Sequence, residues 1–179
     1  MKNIPLNICG RLINSGNLIL VTAAFKDKLN IATIAWHMPL SKDPAMLGIG
    51  VAKKHCTSEL IKKSEEFIIN IPSMDILEQV LVCGRLSGHD VDKFEITRFT
   101  ARIAEKLTKT PKIGECLGWL DCYLRDIKEV GDHYLFIGEV ISAVTKDDVF
   151  DEVWNLEKAK LIYHLGGNNF FTPEKSIKV

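Results

Sequence analysis

None of the five cysteines (Cys9, Cys56, Cys83, Cys116 and Cys122) falls in a Cys-x-x-Cys pair. An odd count without such pairs argues against a disulfide framework, and no further ligand is spaced to complete a metal site. The expectation is reduced thiols packed as small hydrophobes, with Cys116 and Cys122 able to share a strand face through their even spacing. An excess of either charge is also lacking. The 23 Lys and Arg balance 23 Asp and Glu, so no global field draws the chain to nucleic acid. No apolar run approaches the roughly 20 residues that span a bilayer, and Met1-Lys-Asn-Ile-Pro5 has no signal-peptide core. A soluble cytoplasmic protein with no membrane or nucleic-acid partner is expected. Internal repeats, low-complexity tracts and linkers are absent as well, which predicts one domain over residues 1–179.

What is present is ordinary globular material. Apolar residues make up 46% and charged residues 26% of a length that supports an ample core. Residues 18–24 read as a buried strand, 26–29 as a turn, and 30–36 as the second strand of a hairpin. Pro39 and Asp43-Pro44 are expected to break the chain before a third strand over 46–51. A short amphipathic helix follows over 58–64, then a strand over 67–71 stopped by Pro72. Ser73 is expected to cap a helix whose apolar stripe is Ile76, Leu77, Val80 and Leu81, with Gly84 ending it. Residues 85–94 form a polar loop too long for a simple turn. Beyond it the chain is β-rich, with long strands over 117–130 and 133–145 around a hairpin signal at Glu129-Val-Gly-Asp132. Residues 161–170 return a last strand into a glycine-rich turn. Hairpins rather than strand–helix–strand units predict a mainly β fold, an antiparallel barrel with a few inserted helices.

The stretch richest in chemistry is Val51-Ala-Lys-Lys-His-Cys-Thr-Ser58. An apolar strand ends in Lys53, Lys54 and His55, and Thr57 and Ser58 open a helix as caps. The first turn of a helix presents unpaired N–H groups and the positive end of its dipole, so added cations make an anion site that a phosphate fits. The same pattern also describes a capped helix behind a solvated basic turn. Lys53 and Lys54 point to opposite faces if the strand persists, so one of them reaches the anion, and Lys54 is preferred. In residues 87–94, Asp90 or Asp92 is expected to cap a turn that Phe94 anchors in the core.

Several segments together resemble the flavin reductase-like family of the FMN-binding split barrel. They are Asn30-Ile-Ala-Thr-Ile-Ala-Trp-His-Met-Pro39, Lys53-Lys-His-Cys-Thr-Ser-Glu-Leu-Ile61 with Phe67-Ile-Ile-Asn-Ile-Pro72, and Cys83-Gly-Arg-Leu-Ser-Gly-His-Asp-Val-Asp-Lys-Phe94. Gly131-Asp-His133, Phe136-Ile-Gly-Glu-Val140 and His164-Leu-Gly-Gly167 continue the match, which covers about residues 15 to 170 and looks closest to the flavoredoxin branch. One departure is Trp36-His37-Met38-Pro39, where many flavin reductases carry small hydroxyl-rich residues.

The resemblance implies a Greek-key antiparallel split barrel that binds FMN, forms a homodimer and passes hydride or electrons from a donor such as NAD(P)H to an acceptor. It places Asn30, Ala32, Thr33, Ala35, Trp36, His37 and Met38 at the flavin ring and its wall. It puts Lys53, Lys54, His55, Thr57 and Ser58 at the phosphate, and Ser87 and Lys93 at the flavin or its entrance. His164, just before a glycine pair, takes a flavin-site or nicotinamide-site role and is the one candidate catalytic residue. No Gly-x-Gly-x-x-Gly follows a strand, so a nicotinamide would bind without a Rossmann domain. The alternatives are a flavoprotein that takes electrons from a partner protein and a non-catalytic flavin binder. The hairpin over 117–145 adds independent support for a dimer, because both its faces carry apolar or aromatic residues and a barrel interior buries only one; cover by helices of the same chain is the alternative.

Overall fold

The computed structural model describes Pro5, Cys9, residues 11–13 and residues 16–177; residues 1–4, read above for a leader, lie outside the described residues. Two hairpins open the fold, β1 (Ile19–Phe25) with β2 (Lys28–Ile34) and β3 (His37–Lys42) with β4 (Ala45–Ala52). Helix α1 (Cys56–Ser64) leads to β5 (Glu66–Ile71), and a 3-10 turn (Met74–Ile76) runs into α2 (Leu77–Arg85). After α3 (Lys93–Thr97), the short strands β6 (Ala101–Arg102) and β7 (Lys112–Ile113) pair with each other. The long hairpin β8 (Gly118–Val130) and β9 (His133–Thr145) follows. Two small ribbons close the chain, β10 (Phe150–Asp151) with β11 (Val153–Trp154) and β12 (Tyr163–Gly166) with β13 (Asn169–Phe171).

The seven main strands form one antiparallel sheet in the order β2-β1-β5-β8-β9-β4-β3. Strand β1 shows the layering, because strand side chains alternate between faces. Ile19, Val21 and Ala23 enter a core with Ile49 and Val51 of β4, Phe67 of β5 and Phe136 of β9, and α1 adds Leu60 and Ile61. Leu18 and Leu20 enter a second core with Ile68, Trp119, Val80 and Cys83 of α2, and Phe99, Leu107 and Ile113. Residues near both edges of the sheet meet in the first core, so the sheet rolls up around α1. Its two edge strands, β2 and β3, are not hydrogen-bonded neighbours, which leaves the barrel split there. Truncating either fully buried ring, Phe67 or Phe136, costs about 3–5 kcal/mol on the usual scale for such changes.

Several expectations need correction. Pro39 does not interrupt the sheet but lies within β3, an edge strand, where a missing N–H forfeits no ladder bond. Gly84 does not end α2, which continues to Arg85; a Cβ there would sit 3.3 Å from Thr33 Cβ, so the residue serves close packing of α2 on β2. Ser73 makes no capping bond and donates to the Asp75 carboxylate. The last strand is a two-stranded ribbon outside the main sheet, tied to the rest of the chain by single bridges, Asn17 with Tyr163 and Ser73 with Leu161. Cys116 and Cys122 do not share a strand face: Cys116 precedes β8 and joins the second core, while Cys122 joins the first. Trp119, on the second face of the long hairpin, is covered by the chain's own residues 99–116, so that end needs no second subunit.

Candidate functional site

One cavity of about 350 Å³ opens between the end of β4, the start of α1, strand β2 and the α2–α3 connection. Its volume lies in the range of small-molecule sites. Of the residues named from the sequence, Asn30, Ala32 and Thr33 of β2 line one wall. Lys54, His55 and Thr57 line a second, and Ser87 and Lys93 a third. The β-hairpin brings the first group, the strand-to-helix turn the second, and the turn over 87–90 with the first residue of α3 the third. Among the described residues three cations, Lys54, Arg85 and Lys93, face this space and no carboxylate does. A chain with no net charge thus concentrates positive charge at the N-terminus of a nine-residue helix.

The hydroxyls differ from their expected roles. The N-cap of α1 is His55, whose side chain makes no capping bond, and Thr57 and Ser58 lie inside the first turn. Thr57 Oγ1 accepts from Asn30 Nδ2 at 2.8 Å, which leaves its own proton free to donate. Ser58 Oγ donates to the Ala52 carbonyl at 2.9 Å and is buried away from the cavity lining. Thr33 Oγ1 donates to the Val80 carbonyl at 2.6 Å and ties α2 to β2.

Asn30 is 3% exposed, and its Oδ1 is buried without a hydrogen-bond partner. Gly88 packs directly on that amide, since an added Cβ would fall 2.1 Å from Oδ1. An unanswered buried acceptor beside a cavity is costly and calls for a donor from a ligand. Lys93 is 4% exposed and donates to the carbonyls of Ile31 and Cys83, both at 2.7 Å. It thereby pins α3 to β2 and α2 and keeps one of its three ammonium protons uncommitted. Burial, countered by the neighbouring thiols Cys83 and Cys56, lowers the Lys93 pKa from its ordinary value. Lost hydration beside the cavity, followed by the charges of Lys93, Lys54, His133 and His89, lowers that of His55. Asp92 caps α3 by accepting from the Phe94 and Glu95 amides, and Phe94 packs on the second core, as the loop pattern predicts.

Other named residues lie elsewhere. Strand β4 ends at Ala52, so Lys53 and Lys54 lie in a turn rather than on alternating strand positions; Lys53 pairs with Glu129 on β8 and lies outside the cavity lining, whereas Lys54 is part of it. Ala35 packs on the second core. Trp36 is 54% exposed and rests on the His133 ring at 4.8 Å, while His37 Nε2 bonds the Asn17 carbonyl. Met38 sits on the exposed side of β3. His164 stacks on Phe170 and bonds the Gly167 carbonyl at 3.0 Å within the closing ribbon, outside the cavity lining. The structure therefore does not assemble these residues at the cavity. The lining also includes Cys56, Cys83, Gly84, Arg85, Leu86 and Gly88, which sequence reasoning did not single out. All but Cys56 belong to the run from Cys83 to Lys93, and all six lie in segments quoted above for the family resemblance, which was the signal that could have found them. Arg85 Nη2 also donates to Asn168 Oδ1 at 3.2 Å, which links the cavity rim to the closing ribbon. Among the described residues no group of His, Cys, Asp or Glu is arranged to hold a metal, and no helix is long and apolar enough to cross a membrane.

The profile of the flavin reductase like domain matches residues 11–168. An uncharacterized protein of Pyrococcus abyssi is 32% identical over 167 residues, covering 93% of this chain and 95% of its own. Flavoredoxin from Methanosarcina acetivorans superposes with a TM-score of 0.88 at 27% identity, over 100% of this chain and 94% of its own. An FMN-binding protein from Thermus thermophilus, with bound 1-cyclohex-2-enone, shares the fold at a TM-score of 0.85 and 22% identity, over 100% of this chain and 98% of its own.

Proposed function

The chain belongs to the flavin reductase-like family, flavin-linked oxidoreductases on a split β-barrel, and from that premise we propose that it is an FMN-dependent enzyme working as a cytoplasmic homodimer. One observation carries the reading. The cavity joins three cations, the N-terminus of α1 and an unanswered Asn30 acceptor, and no carboxylate among the described residues lines it. That set suits a ligand with a terminal phosphate at one end and hydroxyl or N–H donors further along, which FMN is. The FMN-binding neighbour of the same fold supports the choice.

In this arrangement Lys54, His55 and the free first-turn amides of α1 hold the phosphate, with the Thr57 hydroxyl donating to it. Asn30 Oδ1 accepts from the ligand, and Lys93 offers its remaining proton from a fixed position. Bound FMN would supply a ring able to take a hydride or electrons from a donor such as NAD(P)H and deliver them to an acceptor. The chain's own part is to bind, orient and keep water away.

The dimer reading rests on the free edge of the sheet. Trp36, Met38 and Leu40 are 54%, 47% and 42% exposed there, and Gly48 and Gly50 of β4 flatten the surface beside them. A second subunit on this face would hide apolar side chains and an open strand edge together. It would also bring Trp36 and Met38 into play as cover for a flavin ring.

The test is direct. The protein is purified, any cofactor is released by heat and identified by chromatography, and the holoprotein is titrated anaerobically with NADH and then NADPH. FMN in the supernatant and bleaching by one nicotinamide are the expected results. FAD, or a colourless protein that does not take up added FMN, refutes the assignment. A flavoprotein bleached by neither nucleotide points instead to a protein electron donor.

A further inference from the structure

His55 occupies an unusual electrostatic position. Its backbone is fixed from both sides, the amide donating to the Ala52 carbonyl and the carbonyl accepting from the Ser58 amide, each at 3.0 Å. Its side chain makes no capping bond to α1 and lines the cavity. The groups that face it come from every element packed around it. Lys93 approaches from α3, Lys54 from its own segment, His133 from β9 and His89 from the α2–α3 connection. The carboxylates beside His89 and His133 are already paired. Glu59 lies 3.8 Å from His89 and 3.9 Å from Lys63, and Asp132 holds the His133 ring at 2.7 Å. With these surroundings the ring resists a proton while the cavity holds no anion.

A phosphate monoester inverts that balance, because it carries about −1.5 to −2 charges near neutral pH. We infer that His55 is a proton-linked ligand, so that the site takes up a terminal phosphate dianion together with a proton from the buffer, held on the His55 ring. The inference rests on the proposed FMN reading and adds a basis for selectivity. A dianionic monoester such as FMN can hold the imidazolium in place. The pyrophosphate of FAD offers one charge per phosphorus and does so less well, and riboflavin not at all.

The sign follows from linkage. The bound-state pKa of His55 lies above its free-state value, so its contribution to affinity is complete below the free pKa and is lost as pH rises through the bound pKa. Protonation of the phosphate itself opposes this only below about pH 6, its second ionisation. The window to observe is therefore about pH 6.5–8.5.

The experiment is calorimetric titration of FMN into the flavin-free full-length protein at pH 7, in two phosphate-free buffers of different ionisation enthalpy. The wild type should take up about half a proton or more per FMN. His55→Asn should take up none, and its affinity should fall at least about three-fold less than the wild type's between pH 6.5 and 8.5. His55→Arg, permanently charged, should bind FMN with no proton uptake, which keeps the test decisive if the asparagine variant binds too weakly to titrate. Equal proton uptake by wild type and either variant, with FMN bound by both, overturns the inference and leaves the flavin site standing. No binding of FMN by the wild type refutes the site reading itself, and the inference falls with it.

Discussion

Replacing Gly88 by alanine tests the packing that builds the cavity. The new Cβ would lie 2.1 Å from Asn30 Oδ1, 2.3 Å from Cγ and 2.6 Å from Nδ2. The amide has no easy retreat, because Asn30 is 3% exposed and its nitrogen donates to Thr57 Oγ1. Either that bond breaks or the 87–90 turn lifts away from β2. Overpacking of this kind costs about 1–3 kcal/mol. Asn30→Ala removes the obstructing group. It gives up one hydrogen bond, worth about 0.5–1.5 kcal/mol, but also deletes an unsatisfied buried acceptor whose burial costs about 1–3 kcal/mol, so the flavin-free protein should change little. The double variant should recover most of the Gly88→Ala loss, a coupling of about 1–3 kcal/mol. Urea unfolding of the four flavin-free proteins measures it. The same four titrated with FMN should show Asn30→Ala weakened about ten-fold, since the ligand loses its acceptor. A Gly88→Ala variant of unchanged stability, or two substitutions additive within about 0.5 kcal/mol, would refute the reasoning.

Further outcomes follow from other parts of the molecule. Thr57→Ala should weaken FMN binding by about ten-fold, the loss of one charge-assisted hydrogen bond, as read by titration of the folded flavin-free variant. Lys54→Met should weaken FMN binding while Lys53→Met leaves it within about two-fold, because Lys53 is paired with Glu129 outside the cavity lining; equal losses would contradict the assignment. Light scattering at low micromolar concentration should give twice the chain's 20.1 kDa, and Met38→Glu should shift it toward the monomer; a wild-type monomer that holds FMN would remove the dimer from the proposal. Iodoacetamide at pH 8 should label the exposed Cys9 quickly and spare Cys83, whose thiol burial pushes up to about 12; mass spectrometry of the native protein reports which site reacts.

Much of the fold was legible in the chain because its signals are local. The apolar run over 18–24, the Gly131-Asp132 turn and the apolar run ending at Val51 each specify a strand or hairpin without help from distant residues. The helix after Ala52 and the positive charge gathered at its N-terminus were readable for the same reason, since helix ends and adjacent lysines act over a few residues. The order of motifs then carried the family and its flavin chemistry. What the sequence could not determine depended on which elements meet. Pro39 reads as a breaker until β3 is known to be an edge strand, and Gly84 reads as a helix end until Thr33 is found against it. Thr57 and Ser58 have the same chemistry and adjacent numbers, yet Asn30, 27 residues away, leaves one facing the cavity, and the Ala52 carbonyl takes the other out of it. Strand alternation cannot choose between Lys53 and Lys54, because β4 ends at Ala52; the approach of β8 supplies Glu129 to hold Lys53, and Lys54 is left to line the cavity. Local propensities depend on neighbours along the chain, whereas burial, pairing and charge depend on neighbours in space, and only the tertiary structure brings those together.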